Sequence, residues 1–140
     1  MSLLHLLYHA NYTVDIFTNG SRNLVVYSLP NVTFIMDWKL PGSGEAESFV
    51  EQRNANLLLL RPRDAVKLVI ADQIDLHHAE RHIEDWHEAL DIEFKIYVGA
   101  AWGEMREQDL VHWLVWKGYH WVNLNVQVHK LIFPDKDRGI

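Results

Sequence analysis

The chain has 140 residues, 49% of them hydrophobic, with 13 Lys plus Arg against 19 Asp plus Glu and no cysteine. That length suits one domain, 1–140, burying roughly 70% of its unfolded surface, and the apolar content excludes disorder. Lack of thiols excludes disulfides, thiolate-bound zinc, a cysteine nucleophile and a cysteine-held iron–sulfur cluster on this chain alone, while a net charge of −6 argues against phosphate-backbone binding to nucleic acid.

In chain order, Ser2 is placed to cap a helix over 2–11, with Leu3, Leu4, Leu6 and Leu7 as its apolar side. Residues 12–17 read as a strand stopped by Thr18-Asn19-Gly20, and 32–37 as a second, bounded by Pro30-Asn31 and a Pro-Gly-Ser-Gly turn. A helix over 45–60 ends at Pro62, and 65–71 form a third strand. Leu76, Ala79, Ile83, Trp86 and Leu90 make one stripe on a helix over 75–90. A fourth strand takes 93–98. The helix over 104–117 has acids in its first turn, Lys117 in its last and Gly118 just past its end. Residues 121–129 complete the series as a fifth strand. Strands alternating with helices point to βαβ units and an α/β fold: a partial (β/α) barrel or an open parallel sheet of about five strands flanked by helices. No apolar stretch approaches the ~18 residues needed to span a membrane. The opening MSLLHLLYHA lacks a basic start and a cleavage site, so the cytoplasm is the expected compartment.

In parallel α/β folds ligands collect at the carboxyl ends of strands. Those ends are polar here: Thr18, Asn19 and Gly20; Asp37 and Lys39 before the loop containing Ser43; Asp72 after the third strand; Gln127 and His129 closing the fifth. A Thr-Asn-Gly segment reads equally well as a plain turn. Along the fifth strand, Val122, Leu124, Val126 and Val128 alternate with Asn123, Asn125, Gln127 and His129. One apolar face and one polar face are expected, the polar one either solvated or lining a ligand chamber. His78, His82 and Asp85 share one helix side and could in principle bind zinc or iron, though they sit among Glu80, Arg81 and Glu84 on what reads as a solvated face.

Taken together, these segments resemble the C-terminal part of the 7-carboxy-7-deazaguanine synthase family of radical S-adenosylmethionine enzymes. VDIFTNGS at 14–21 is similar to that family's strand ending in E-T-N-G-T, and FIMDWKLPGSGE at 34–45 to its D-x-K-x-P-x-S-G-E segment. DAVKLVIA at 64–71 resembles D-x-V-K-x-V-I, VQVHK at 126–130 the closing M-Q-T-H-K, and the tail FPDKDRGI the family C-terminus. The resemblance implies an incomplete (β/α) barrel. It also implies a ring contraction of 6-carboxytetrahydropterin that uses a [4Fe–4S] cluster, S-adenosylmethionine and Mg²⁺. On the same basis Thr18, Asn19 and Gly20 would lie beside S-adenosylmethionine. Asp37, Lys39, Ser43, Gln127 and His129 would face a pterin-like substrate.

The family's cysteine loop has no counterpart in these residues, and Phe17 stands where the family carries Glu. The isolated chain is therefore expected to hold none of the family's cofactors, with no catalytic residue or metal ligand assigned. Three readings follow. The chain supplies the substrate side of an enzyme completed by a cluster-bearing N-terminal half or separate chain; or it is a non-catalytic binding module that self-associates; or, as a third reading, it is a histidine-based metal enzyme. A start within a longer gene is a further expectation.

Overall fold

A computed structural model describes residues 2–89 and 93–134. Five parallel strands make one open sheet in the order β1-β2-β3-β4-β5: Val14–Thr18, Val32–Trp38, Ala65–Ile70, Lys95–Ala100 and Val122–Leu124. Helices α1 (Leu3–His9), α2 (Val50–Leu57), α3 (Gln73–Ala89), α4 (Glu107–Lys117) and α5 (Val128–Ile132) interleave with them. The sheet is not closed into a barrel.

Strand order explains the layering. Right-handed crossovers that always step the same way along a sheet place their helices on one face. The core lies on that face. Val32, Phe34, Met36 and Trp38 of β2, Val66, Leu68 and Ile70 of β3, and Ile96 and Val98 of β4 pack under Leu57 of α2, Ala79, Ile83 and Trp86 of α3 and Leu110 and Trp113 of α4. The stripe expected on α3 is therefore its core face, Leu90 lying outside the described residues. The opposite sheet face carries Asp15, Phe17, Thr33, Ile35, Asp37, Lys67 and Tyr97, and none of these is buried. Alternation in β2 is complete, buried and half-exposed residues following one another from Val32 to Trp38.

Three expectations need correction. Ser2 makes no side-chain cap; its hydroxyl pairs with His5 Nδ1 at 2.7 Å. The second helix begins at Val50 rather than at residue 45. Residues 46–49 instead form turns, with Arg53 Nη2 donating to the Ala46 carbonyl and Phe49 in the left-handed region at φ 56°. The third correction concerns the fifth strand, which ends at Leu124 instead of running to His129. The register sets Leu124 beside Val98, and β4 stops two residues later at Ala100. The Asn125 N–H still donates to the Val98 carbonyl at 2.7 Å, and past it the chain leaves the ladder and satisfies backbone groups locally, the Val128 N–H on Val126 and the Lys130 N–H on Gln127. Residues Val128–Ile132 accordingly coil into α5. The tail segment 135–140 lies outside the described residues.

Candidate functional site

The turn after β1 is built to be rigid. The Gly20 N–H donates to Thr18 Oγ1 at 3.1 Å, and the Ser21 N–H to Asn19 Oδ1 at 3.1 Å. Gly20 has φ 74°, and a Cβ there would meet Arg53 Cγ at 2.8 Å and Met36 Sδ at 2.9 Å. Asn56 of α2, fully buried, anchors this turn. Its Nδ2 donates to the Gly20 carbonyl at 2.9 Å and the Arg22 carbonyl at 2.8 Å, and its Oδ1 accepts the Leu24 N–H at 3.1 Å. Sequence reasoning passed over Asn56; a lone amide in the middle of a short helix carries no local signal of a contact 36 residues away.

At the carboxyl end of β2 the structure brings Asp37 and Lys39 together, 3.6 Å apart. Ser43 is engaged within its own turn: its hydroxyl donates to the Leu40 carbonyl at 2.6 Å and accepts the Glu45 N–H at 3.1 Å. Asp75 pins that loop, accepting the Gly42 N–H at 2.7 Å and the Ala71 N–H at 3.0 Å. Gln127 Nε2 reaches the Ala100 carbonyl at 3.4 Å, at the end of β4. His129 is exposed on α5, so Gln127 and His129 do not line one strand face as the alternation predicts. Gly99 is where the chain after β5 crosses β4: a Cβ there would sit 2.8 Å from the Asn125 carbonyl oxygen. The carboxyl rim thus comprises Asp37, Lys39, Gly99, Asn125 and Gln127.

From Asp37 the uncovered sheet face runs as a ladder of rows. Asp37, Lys67, Tyr97 and Asn123 stand in register across four strands, and Phe17, Ile35, Ala65 and Lys95 form the next row toward the amino ends. A concavity of about 540 Å³ lies over this second row and extends to Arg63, Lys67, Tyr97 and the rim residue Asn125. Phe17 is 74% exposed at its margin.

Asp64, in the segment that resembles D-x-V-K, is structural. It is fully buried and accepts the Phe34 N–H at 2.9 Å, the Arg61 N–H at 2.8 Å and Arg61 Nε at 2.8 Å. Burial alone would raise its pKa, but these hydrogen bonds and the Arg61 charge outweigh it and hold the carboxyl below the usual range. His82 packs edge-on against Trp38 at 5.3 Å and stacks on Trp86 at 5.4 Å. Burial, and then the neighbouring His78, push its pKa down. Among the described residues no three His or acidic side chains are arranged to hold a metal ion, and the His82 ring is turned against Trp38 and Trp86.

The family's cluster does not fit these residues, because no thiolate exists to ligate iron. For S-adenosylmethionine, the oxygens of Thr18 and Asn19 already hold the turn, and Phe17 offers no carboxylate.

Compared with known proteins, the chain is similar to 7-carboxy-7-deazaguanine synthases from three organisms. It is 30% identical to that of Clostridium acetobutylicum over all of this chain and 62% of the relative. It is 31% identical to that of Koribacter versatilis over 94% of the chain and 61% of the relative. It is 32% identical to that of Thermoplasma acidophilum over 87% of the chain and 54% of the relative. The chain spans about six tenths or less of the length of these relatives. No family model and no solved structure matches it.

Proposed function

We propose that this chain, related along its whole length to the 7-carboxy-7-deazaguanine synthases, supplies the substrate-side wall of a radical S-adenosylmethionine enzyme of that type. The cysteines that hold the cluster come from outside these 140 residues. The observation that carries the reading is the bare polar rim of the sheet, present in a chain similar over its full length to enzymes of one name. Asp37, Lys39, Asn125 and Gln127 offer carboxylate, ammonium and amide groups at the carboxyl ends of β2 and β4 and after β5. Such a set suits a pterin or deazaguanine ring rich in donors and acceptors. The chain's own work is to orient that ring, while a partner shields it from water and brings the cofactors. No helix among the described residues is long and apolar enough to cross a membrane.

Calorimetric titration of the 140-residue chain with 6-carboxytetrahydropterin and with 7-carboxy-7-deazaguanine tests this. Binding weakened at least tenfold by Asp37→Asn, with turnover appearing only when a cluster-bearing polypeptide is added, is the expected result. Absence of binding to either compound, alone or with such a partner, overturns it.

A second reading, a self-associating module without chemistry, is favoured by Phe17, whose ring stands 74% exposed on the uncovered face. It predicts a stable homo-oligomer by light scattering and no affinity for either heterocycle.

A further inference from the structure

Arg53, on the helix side of the sheet, is 2% exposed. Its Nη2 donates to the Ala46 carbonyl, while Nε and Nη1 are sealed from solvent and meet no hydrogen-bond partner among the described residues. The guanidinium lies over the Trp38 ring, with Cζ 5.3 Å from its centroid. A ring face returns only part of what a guanidinium loses with its water, so a buried charge of this kind calls for a carboxylate. We propose that residues 46–49 are a latch: the Glu47 side chain turns inward onto the Arg53 guanidinium, and the ion pair locks the turn after β1 from behind.

Connectivity singles out Glu47. The carbonyl that meets Nη2 belongs to Ala46 and is bonded to the Glu47 nitrogen, so the Glu47 side chain starts beside the guanidinium. Glu47 is exposed and makes no hydrogen bond among the described residues, yet of the charges around Arg53 it acts most strongly, ahead of Glu45. Glu45 is less free to move. Its N–H donates to Ser43 Oγ at 3.1 Å and its carbonyl accepts the Ser48 N–H at 3.0 Å. The turn itself is poised to rearrange. Phe49 sits at φ 56°, a region unfavourable to an aromatic residue, and α2 starts without a side-chain cap. The Phe49 carbonyl accepts the Arg53 N–H at 2.9 Å, so the turn stays wrapped on Arg53 while Glu47 swings. The reach of the latch follows from Gly20. A Cβ there would meet Arg53 Cγ at 2.8 Å, and Asn56, one turn further along α2, holds the Gly20 and Arg22 carbonyls. The turn over 18–20 therefore rests on Arg53, and fixing the guanidinium stiffens that turn whatever the rim binds.

The test is a double-mutant cycle on the 140-residue chain, Glu47→Ala against Arg53→Met, read by urea unfolding. The latch expects the two changes to be coupled by about fivefold or more in the folding equilibrium constant, and Glu45→Ala with Arg53→Met to be additive. By NMR, the Arg53 Nε–H should be protected from exchange in the wild type and lose that protection in Glu47→Ala. The Gly20 and Ser21 amides should exchange faster in the same variant. Coupling below fivefold, stronger coupling through Glu45, or an Nε–H unaffected by Glu47→Ala would overturn the proposal. So would inorganic phosphate that stabilises the wild type and not Arg53→Met, because an external oxyanion would then be the partner. If Arg53→Met fails to fold, the Nε–H comparison between wild type and Glu47→Ala decides alone. No outcome depends on a pterin, so failure here and failure of the functional reading are distinguishable.

Discussion

Asp75 Oδ1 accepts the backbone N–H of Gly42 across 33 residues of sequence, at 2.7 Å, and so ties the loop after β2 to the first turn of α3. The same carboxylate takes the Ala71 N–H through its other oxygen, and Asp75 is 1% exposed. A Cβ at Gly42 would collide with that carboxylate, so glycine there is what permits the contact. One side chain therefore sets the position of the rim loop relative to the end of β3.

Replacing Asp75 by Ala leaves two sheltered N–H groups unpaired. The expected cost is about 3 kcal/mol, at a typical 1–3 kcal/mol for each lost partner. Urea unfolding measures it, and hydrogen exchange should show the 40–44 loop loosening first. An unchanged midpoint would remove Asp75 from this role.

Asp64→Asn removes the charge that faces Arg61 and turns one acceptor into a donor. Breaking this buried pair is expected to cost about 3 kcal/mol. The pH dependence has a definite sign. The folded pKa is lowered, so the contribution of Asp64 is present above the unfolded carboxyl value near 3.9 and is lost as pH falls below it toward the folded value. Denaturant melts from pH 5 to 2.5 should therefore show a shallower acid slope in the Asn variant.

Gly99→Val puts side-chain atoms where the Asn125 carbonyl lies 2.8 Å from the Cβ position. Overpacking of this kind costs about 1–3 kcal/mol. The displaced part is the segment after β5, so the Asn125 N–H, which donates to the Val98 carbonyl at 2.7 Å, should lose hydrogen-exchange protection while β2 and β3 keep theirs.

His82 titrates in the opposite sense to a histidine that gains an acidic partner. Its folded pKa lies below the ordinary value of 6.5, because burial against Trp38 and Trp86 disfavours the charged ring. The unfolded chain thus binds the proton more readily, and stability falls as pH drops below about 6.5, levelling off beneath the folded pKa. His78, Arg81 and Arg53 push the same way, and Asp85 opposes them. In His82→Phe the part of the pH 7 to 5 stability loss due to this ring should vanish. An identical slope in both proteins would show that the ring is not the titrating group.

Much of the architecture was legible because it rests on local pattern. The period of 3.6 along α3 marks its buried stripe, whereas β2, with the apolar run Phe34-Ile35-Met36, alternates in burial more strictly than in sequence. Gly118 ends α4 in the left-handed region, as its position past Lys117 predicts. The fifth strand misled for a physical reason. Its alternation continues to His129, but the ladder ends at the Leu124–Val98 pair although β4 runs on to Ala100, because the chain crosses Gly99 and coils into α5, a tertiary course that alternation does not encode.

The site divides in the same way. Sequence by itself determined that no thiolate could hold a cluster, that the strand ends are polar, and that the motif order resembles one enzyme family, because composition and spacing are properties of the chain. Tertiary structure alone decided that Thr18, Asn19 and Ser43 serve turns, that Asp37 meets Lys39, and that Asn56, Asp64 and Asp75 are struts. It also decided that Ala65, Lys67 and Tyr97 share one uncovered concavity. Those facts depend on which strands lie side by side and in what register, and parallel pairing joins residues about thirty positions apart that carry no mark of each other in the sequence.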